Sequence, residues 1–342
     1  MNSKRYVLIF VSLLAVLAGL YFLKSKPKTT TPPSLTDFTV ENPEDVSLIF
    51  MTDQSGDNQI FLRKQSDGTW TVNDSFVAWQ KEVDFLLDET MAKVKVQGPA
   101  PAAAIPNVIK YMSIHGIKVE VYSDNMKEPD HVYIVGNTTP TQLGTYFKLP
   151  GDNPPAIMTI PGFDGFVNTR YSVDLDHWIS RTVFGSTKDQ IEEVEVTYPE
   201  EKESFKIEHT PDDKFLMTSL TITDENKNTG AIKSYCNLFE KRNFETFVYV
   251  INDSLKAALS EQQPFATIRV KSKNRGIDEL KFYPKNANEK MHGLYDEDGM
   301  ALVNDPSRYY AIYNKLERVL IVQDYTFKNV LLKANDFKNR TN

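Results

Sequence analysis

The sequence predicts an α+β protein: an N-terminal transmembrane helix followed by two tandem, similar β-rich units of antiparallel sheet, each with a helix after its third strand. Three observations predict it. One uncharged run near the N-terminus is long enough to cross a bilayer. Short stretches of alternating apolar and polar residues recur along the rest of the chain. That pattern then returns after about 145 residues.

Residues 1–5 form a short tail and Tyr6 to Leu23 the anchor, an uncharged run of 18 residues. At helical rise such a run spans roughly 27 Å, close to the hydrocarbon thickness of a bilayer. Tyr6 and Tyr21 stand near its ends, where amphipathic rings suit the interface. A cleaved signal peptide would carry a shorter apolar core ending in a small-x-small site. Here the run closes instead on Leu20-Tyr21-Phe22-Leu23-Lys24. Flanking charge hardly decides orientation, with Lys4 and Arg5 on one side and Lys24, Lys26 and Lys28 on the other. A short N-terminal tail and a long C-terminal domain favour the domain outside. Residues 24–37 are a Lys/Thr/Pro-rich tether whose prolines favour extended chain.

The first unit covers 38–186 and the second 187–330. Val46, Ile49 and Met51 open a strand matched by Ile191, Val194 and Val196; Ile60 and Leu62 are matched by Phe205 and Ile207. The turn Asp67-Gly68-Thr69-Trp70 is matched by Asp212-Asp213-Lys214-Phe215. A helix follows in each, with Val83, Leu86, Leu87 and Thr90 against Ile232, Tyr235, Cys236 and Phe239, both at the spacing of one helical face. Further strands are read at Val119, Val121 and Ile134 against Ile268, Val270 and Phe282. Gly144-Thr145-Tyr146 is paired with Gly293-Leu294-Tyr295, Ala156-Ile157-Met158 with Ala301-Leu302-Val303, and Arg170-Tyr171 with Arg308-Tyr309. Residues 331–342 read as a fraying polar tail.

Composition narrows function by exclusion. The first 28 residues hold five basic groups and no acid, which leaves 34 basic against 46 acidic residues, about −12. An acidic domain without a basic, aromatic-interleaved patch is a poor partner for nucleic acid. Cys236 is the lone cysteine, so an intrachain disulfide and a cysteine-rich zinc site are both excluded, and its apolar position reads as a buried thiol. The five histidines form no H-x-x-x-H pair, and no phosphate-binding glycine loop occurs. Asp174-Leu175-Asp176-His177-Trp178 is the densest polar cluster and reads as a capped helical turn. Asp296-Glu297-Asp298-Gly299 lacks calcium-ligand spacing and reads as a hairpin turn. No catalytic, cofactor-binding or metal-ligating residue is therefore expected.

One loop stands out as a contact. Ile160-Pro161-Gly162-Phe163-Asp164-Gly165-Phe166 surrounds two rings with turn formers. Phe163 and Phe166 are the candidate partner-contact residues if they point outward, since aromatics anchor interfaces. The competing reading tucks Phe163 back onto the sheet.

The anchor, Asp67-Gly68-Thr69-Trp70, Gly144-Thr145-Tyr146, Ile160-Pro161-Gly162-Phe163-Asp164-Gly165 and the segment Tyr171–Phe184 together resemble an uncharacterised bacterial family. Its members have one N-terminal span and a repeated domain of unknown function. They are often encoded beside a gliding-motility-type ABC transporter with an ATPase, a permease and an auxiliary extracytoplasmic subunit. The resemblance covers most of the chain, is most specific over 144–184 and is weaker in the second unit. It implies a Bacteroidetes-like cell, an inner-membrane location with the domain in the periplasm, and contact with the permease or auxiliary subunits. No family residues with established catalytic roles carry over. The expected function is thus a non-enzymatic accessory or scaffold module touching a transport or envelope assembly. A periplasmic domain that delivers a glycan, peptide or lipid to a transporter is the alternative, and a cell-envelope enzyme is the third reading.

Overall fold

The computed structural model describes residues 38–123, 127–223, 227–248, 252–287, 295, 298–300 and 302–338. The chain divides into two compact units at Ser180/Arg181. In the first unit the elements run β1 (Leu48–Thr52), β2 (Gln59–Lys64), β3 (Trp70–Val72), β4 (Phe76–Val77), α1 (Gln80–Leu86), β5 (Lys95–Pro99), α2 (Ile105–His115), β6 (Ile117–Tyr122), β7 (His131–Thr138), β8 (Thr145–Lys148), β9 (Ala156–Thr159) and α3 (Leu175–Trp178). They build one nine-stranded antiparallel sheet, ordered β4-β3-β2-β1-β6-β7-β8-β9-β5.

The second unit runs β10 (Thr182–Phe184), β11 (Ile191–Thr197), β12 (Phe205–His209), β13 (Phe215–Ser219), α4 (Thr229–Cys236), β14 (Arg242–Asn243), β15 (Thr246–Phe247), α5 (Asn252–Ser260), β16 (Ala266–Ser272), β17 (Gly276–Asn286), β18 (Asn304–Tyr313), β19 (Leu320–Gln323) and α6 (Asp324–Phe327). Its eight-stranded sheet is ordered β13-β12-β11-β16-β17-β18-β19-β15, and β10 pairs with β14 in a two-stranded ribbon. That pairing draws 181–186 into the second unit, so the division falls earlier than 186/187. Apart from β4, the two large sheets share one strand order. They also share register: Ile49 faces Leu62 and Val121, just as Val194 faces Ile207 and Val270.

Strand alternation explains the layers. In the first unit Ile49, Met51, Ile60, Leu62, Val119, Val121, Tyr133 and Val135 are buried on one face. Phe38, Tyr133, Phe147 and Tyr171 interlock beneath it in edge-on and stacked pairs with centroids 5.3–6.2 Å apart. Half-buried Ile134 and Ile157 lie in a separate cluster with Tyr146, packed under Val108 and Met112 of α2. In the second unit α5 supplies Leu259 over Tyr283 and Val319 in the same way. Each helix therefore covers only part of its sheet.

The α+β class with a membrane-spanning helix is corrected. The protein is mostly β, built on three antiparallel sheets, and its longest described helix has 11 residues. Among the described residues no helix is long and apolar enough to cross a membrane; the run 6–23 lies outside them. Helical periodicity overstated the helices. The face read from Val83 to Thr90 breaks at Leu86 into a π-turn over Leu87–Met91, and β4 intervenes between the third strand and α1.

Two further differences concern the C-terminal half. β8 and β9 correspond in order and register to β18 and β19: Tyr146 faces Ile157 as Tyr310 faces Ile321. Residues 293, 294 and 301 of the expected matches lie outside the described residues; Leu302 and Val303 are not strand, and Val303 is exposed. Arg308-Tyr309 lies inside β18, whereas Arg170-Tyr171 follow β9. The expected polar tail instead forms a turn at Ala334–Phe337, where buried Phe337 packs edge-on against Phe205 and Tyr235.

Candidate partner-contact site

The loop after β9 is shaped by its turn formers. The Phe163 amide donates to Ile160 O at 3.0 Å, and Gly162 holds φ +79°. With Pro161 before it, this is a type II turn, whose third position needs positive φ. Gly165 lies under the Phe163 ring so closely that a Cβ there would meet Cζ at 2.6 Å. The loop is pinned further on, where the Val167 amide donates to buried Thr145 Oγ1 at 2.9 Å.

Phe163 is 39% exposed, so it points outward and is not a core residue; Phe166 is half-buried. The Phe163 ring does not stand alone. The guanidinium of Arg170 sits 4.9 Å from its centroid and 4.4 Å from that of Phe85, which is 41% exposed. Arg170 Nη1 donates to Glu89 O and to Thr90 Oγ1, each at 2.9 Å. Burial lowers the Arg170 pKa from its ordinary value, against the raising pull of Tyr171 and Glu89, and the group stays cationic at neutral pH. Two half-exposed rings thus flank a cation that is tied to the main chain after α1. Each cation–π contact of this exposed kind contributes about 0.5–1 kcal/mol. The arrangement offers flat apolar area with little side-chain freedom to lose, which is what a protein contact uses.

Phe163 and its turn were legible in the sequence through Pro161, Gly162 and Gly165. Phe85 and Arg170 were missed as members of the site. A cation stacked between rings from distant segments leaves no local spacing signal.

The polar clusters serve structure. Asp174 caps α3, its side chain accepting from the Asp176 amide at 3.1 Å, and Trp178 is buried with Nε1 donating to Ser172 O at 2.9 Å. Cys236 is buried, and burial pushes its thiol up to about 12, which keeps it protonated and unreactive. Residues 296 and 297 of the acidic loop lie outside the described residues. Among the described residues, no group of three His, Cys, Asp or Glu side chains could hold a metal ion. In the second unit Tyr198, Phe265 and Tyr309 line a concavity of about 430 Å³ with Glu203, Asp324 and Lys333. Its charges are already engaged: Tyr309 donates to Asp324 Oδ1 at 2.7 Å and Lys333 to Glu203 Oε1 at 2.8 Å.

No protein family matches the chain, and neither a curated protein nor a solved structure shows detectable similarity to it.

Proposed function

We propose that the protein is a non-enzymatic accessory module of the bacterial envelope that works by contact with a membrane transport assembly. The observation that carries this reading is the rigid pair of outward rings, Phe163 and Phe85, held about Arg170. The apolar run at 6–23 supports residence at the inner membrane, and the resemblance described above supports a periplasmic position beside a transporter. The test is Phe163→Ala. The ring is half-exposed, so truncation should cost about 1 kcal/mol, well short of the ~3–5 kcal/mol of a buried phenylalanine. Association with the membrane complex, read by crosslinking and pull-down from native membranes, should fall severalfold. Unchanged association together with an unchanged melt would remove the loop as a contact.

The concavity at Tyr198, Phe265 and Tyr309 favours a second reading, a domain that holds a small polar ligand for a transporter. Binding lost on Tyr309→Ala, with membrane association intact, would favour that reading over the first.

A further inference from the structure

The two large sheets have four outer edges, β4, β5, β13 and β15. An unpaired edge invites another strand, and proteins guard edges by shortness, charge, proline or irregularity. Three of the four are guarded. β4 and β15 have two residues each. β5 carries Lys95, Gly98 and Pro99 and breaks register between Val96 and Gly98. β13 is different. Phe215-Leu216-Met217-Thr218-Ser219 has no charge and no proline, and it pairs without a break along β12.

The first unit shows what belongs on this edge. There β3, the counterpart of β13, is covered by β4, with the Ala78 amide donating to Trp70 O at 2.8 Å. Trp70 faces Lys64 and Val72 faces Leu62, as Phe215 faces His209 and Met217 faces Ile207. The outward main-chain groups of β13 are therefore those of Phe215, Met217 and, by alternation, Ser219. On the solvent side of the same edge Leu216 is 45% exposed and Leu220 68% exposed.

We infer that β13 is a dimerisation edge, pairing antiparallel with β13 of a second copy of this chain about a two-fold axis at Met217. In that register Met217 faces Met217 of the partner subunit, and Leu216 faces Thr218 of the partner subunit. The diagonal neighbours of Leu216 are then Leu216 and Leu220 of the partner subunit. The four exposed leucines gather about the axis, which accounts for their presence on an edge. A like strand satisfies the outward amides and carbonyls as β4 does for β3. The interface is isologous, so each copy uses the one open edge among its described strands, and the other described edges are guarded. Association closes at two copies.

The test is sedimentation of the full chain in mild detergent, with amide exchange at Met217 as the register readout. The wild type should sediment at twice the chain mass, with a slowly exchanging Met217 amide. Leu216→Lys/Leu220→Lys places charge where edge strands tolerate it, so it should halve the mass and release that amide. Its circular dichroism should stay unchanged. A wild type at the single-chain mass, at the highest soluble concentration and with a fast Met217 amide, would overturn the inference. A dimer that survives the double substitution would do the same. So would a Met217 amide protected only in native membranes, which would assign the edge to a strand from a different protein.

Discussion

In the first unit Phe50 stands opposite Phe61 on the solvent side of the sheet, their rings stacked at 4.6 Å. The same register positions in the second unit hold Glu195 and Lys206. The contrast continues along the neighbouring strands. Tyr122 faces Leu48, and Val132 faces Glu120, in one sheet; Lys271 faces Glu193, and Glu279 faces Arg269, in the other. Around Glu193 the second face forms an ion-pair lattice, with Lys206 at 2.9 Å and Arg269 at 3.1 Å. The first face holds the aromatic stack, with the Lys118–Glu120 pair at 2.6 Å beside it. Burial on it pushes the Tyr122 hydroxyl up to about 12, helped by its hydrogen bond to Glu120. Inner faces must keep their register because a one-residue slip would expose the core. Outer faces carry no such constraint, and here one carries an ion-pair lattice and the other an aromatic stack. Stability alone does not demand the difference, since an exposed ion pair contributes about 0–1 kcal/mol and an aromatic pair about 0.5–1.5 kcal/mol.

If the inner faces are equivalent, truncating matched positions should cost the two units alike. Leu62→Ala and Ile207→Ala remove fully buried side chains from corresponding sites. Each should destabilise its own unit by about 2–5 kcal/mol, read by hydrogen exchange of that unit's core amides. A large cost in one unit and a small one in the other would break the comparison.

Acid should separate the units. Asp305 lies in β18, in a stretch with no counterpart in the shorter β8, and is buried beside Lys285 at 3.2 Å. Burial pulls its carboxyl up, but Ser307 and Lys285 together outweigh it and hold the pKa below the ordinary 3.8. A carboxylate depressed in the folded state contributes stability above its unfolded pKa and loses it as pH falls through the folded value. Asp305→Asn should therefore destabilise the second unit at neutral pH. The gap from wild type should close as pH drops below about 4. A gap that persists at pH about 2 would show that the loss comes from packing.

The smallest effect is expected from exchanging the outer faces themselves. Phe50→Glu/Phe61→Lys gives the first unit the pair that the second already carries. It should shift stability by no more than about 1 kcal/mol in a denaturant melt, because one modest pair replaces another. A loss of several kcal/mol would mean that Phe50 and Phe61 belong to the core.

The early strands were legible because each shows its buried face in alternation. Ile49, Met51, Ile60 and Leu62 and their matches Val194, Val196, Phe205 and Ile207 occupy equal register positions. Legibility failed past β17. The β7–β8 connection spans 139–144, whereas β17 and β18 are joined by 287–303, so offsets that drifted only slightly carried the match into the wrong segment. Ala301-Leu302-Val303 is apolar enough to pass for a strand, and nothing local marks it otherwise. Phe337 was hidden among polar residues although its ring closes the second core. At the site, the turn around Phe163 could be read from Pro161 and Gly162. The clamp of Arg170 between Phe163 and Phe85 depends on tertiary packing alone.

The central claim is that the first unit presents a contact surface and the ion-paired face of the second does not. A photocrosslinking residue placed at 163, and in a parallel strain at exposed Lys271 of the second face, tests it in native membranes. The account predicts a discrete adduct with a transport-system subunit from position 163 and none from position 271. Equal adducts from both positions, or none from 163, would contradict it.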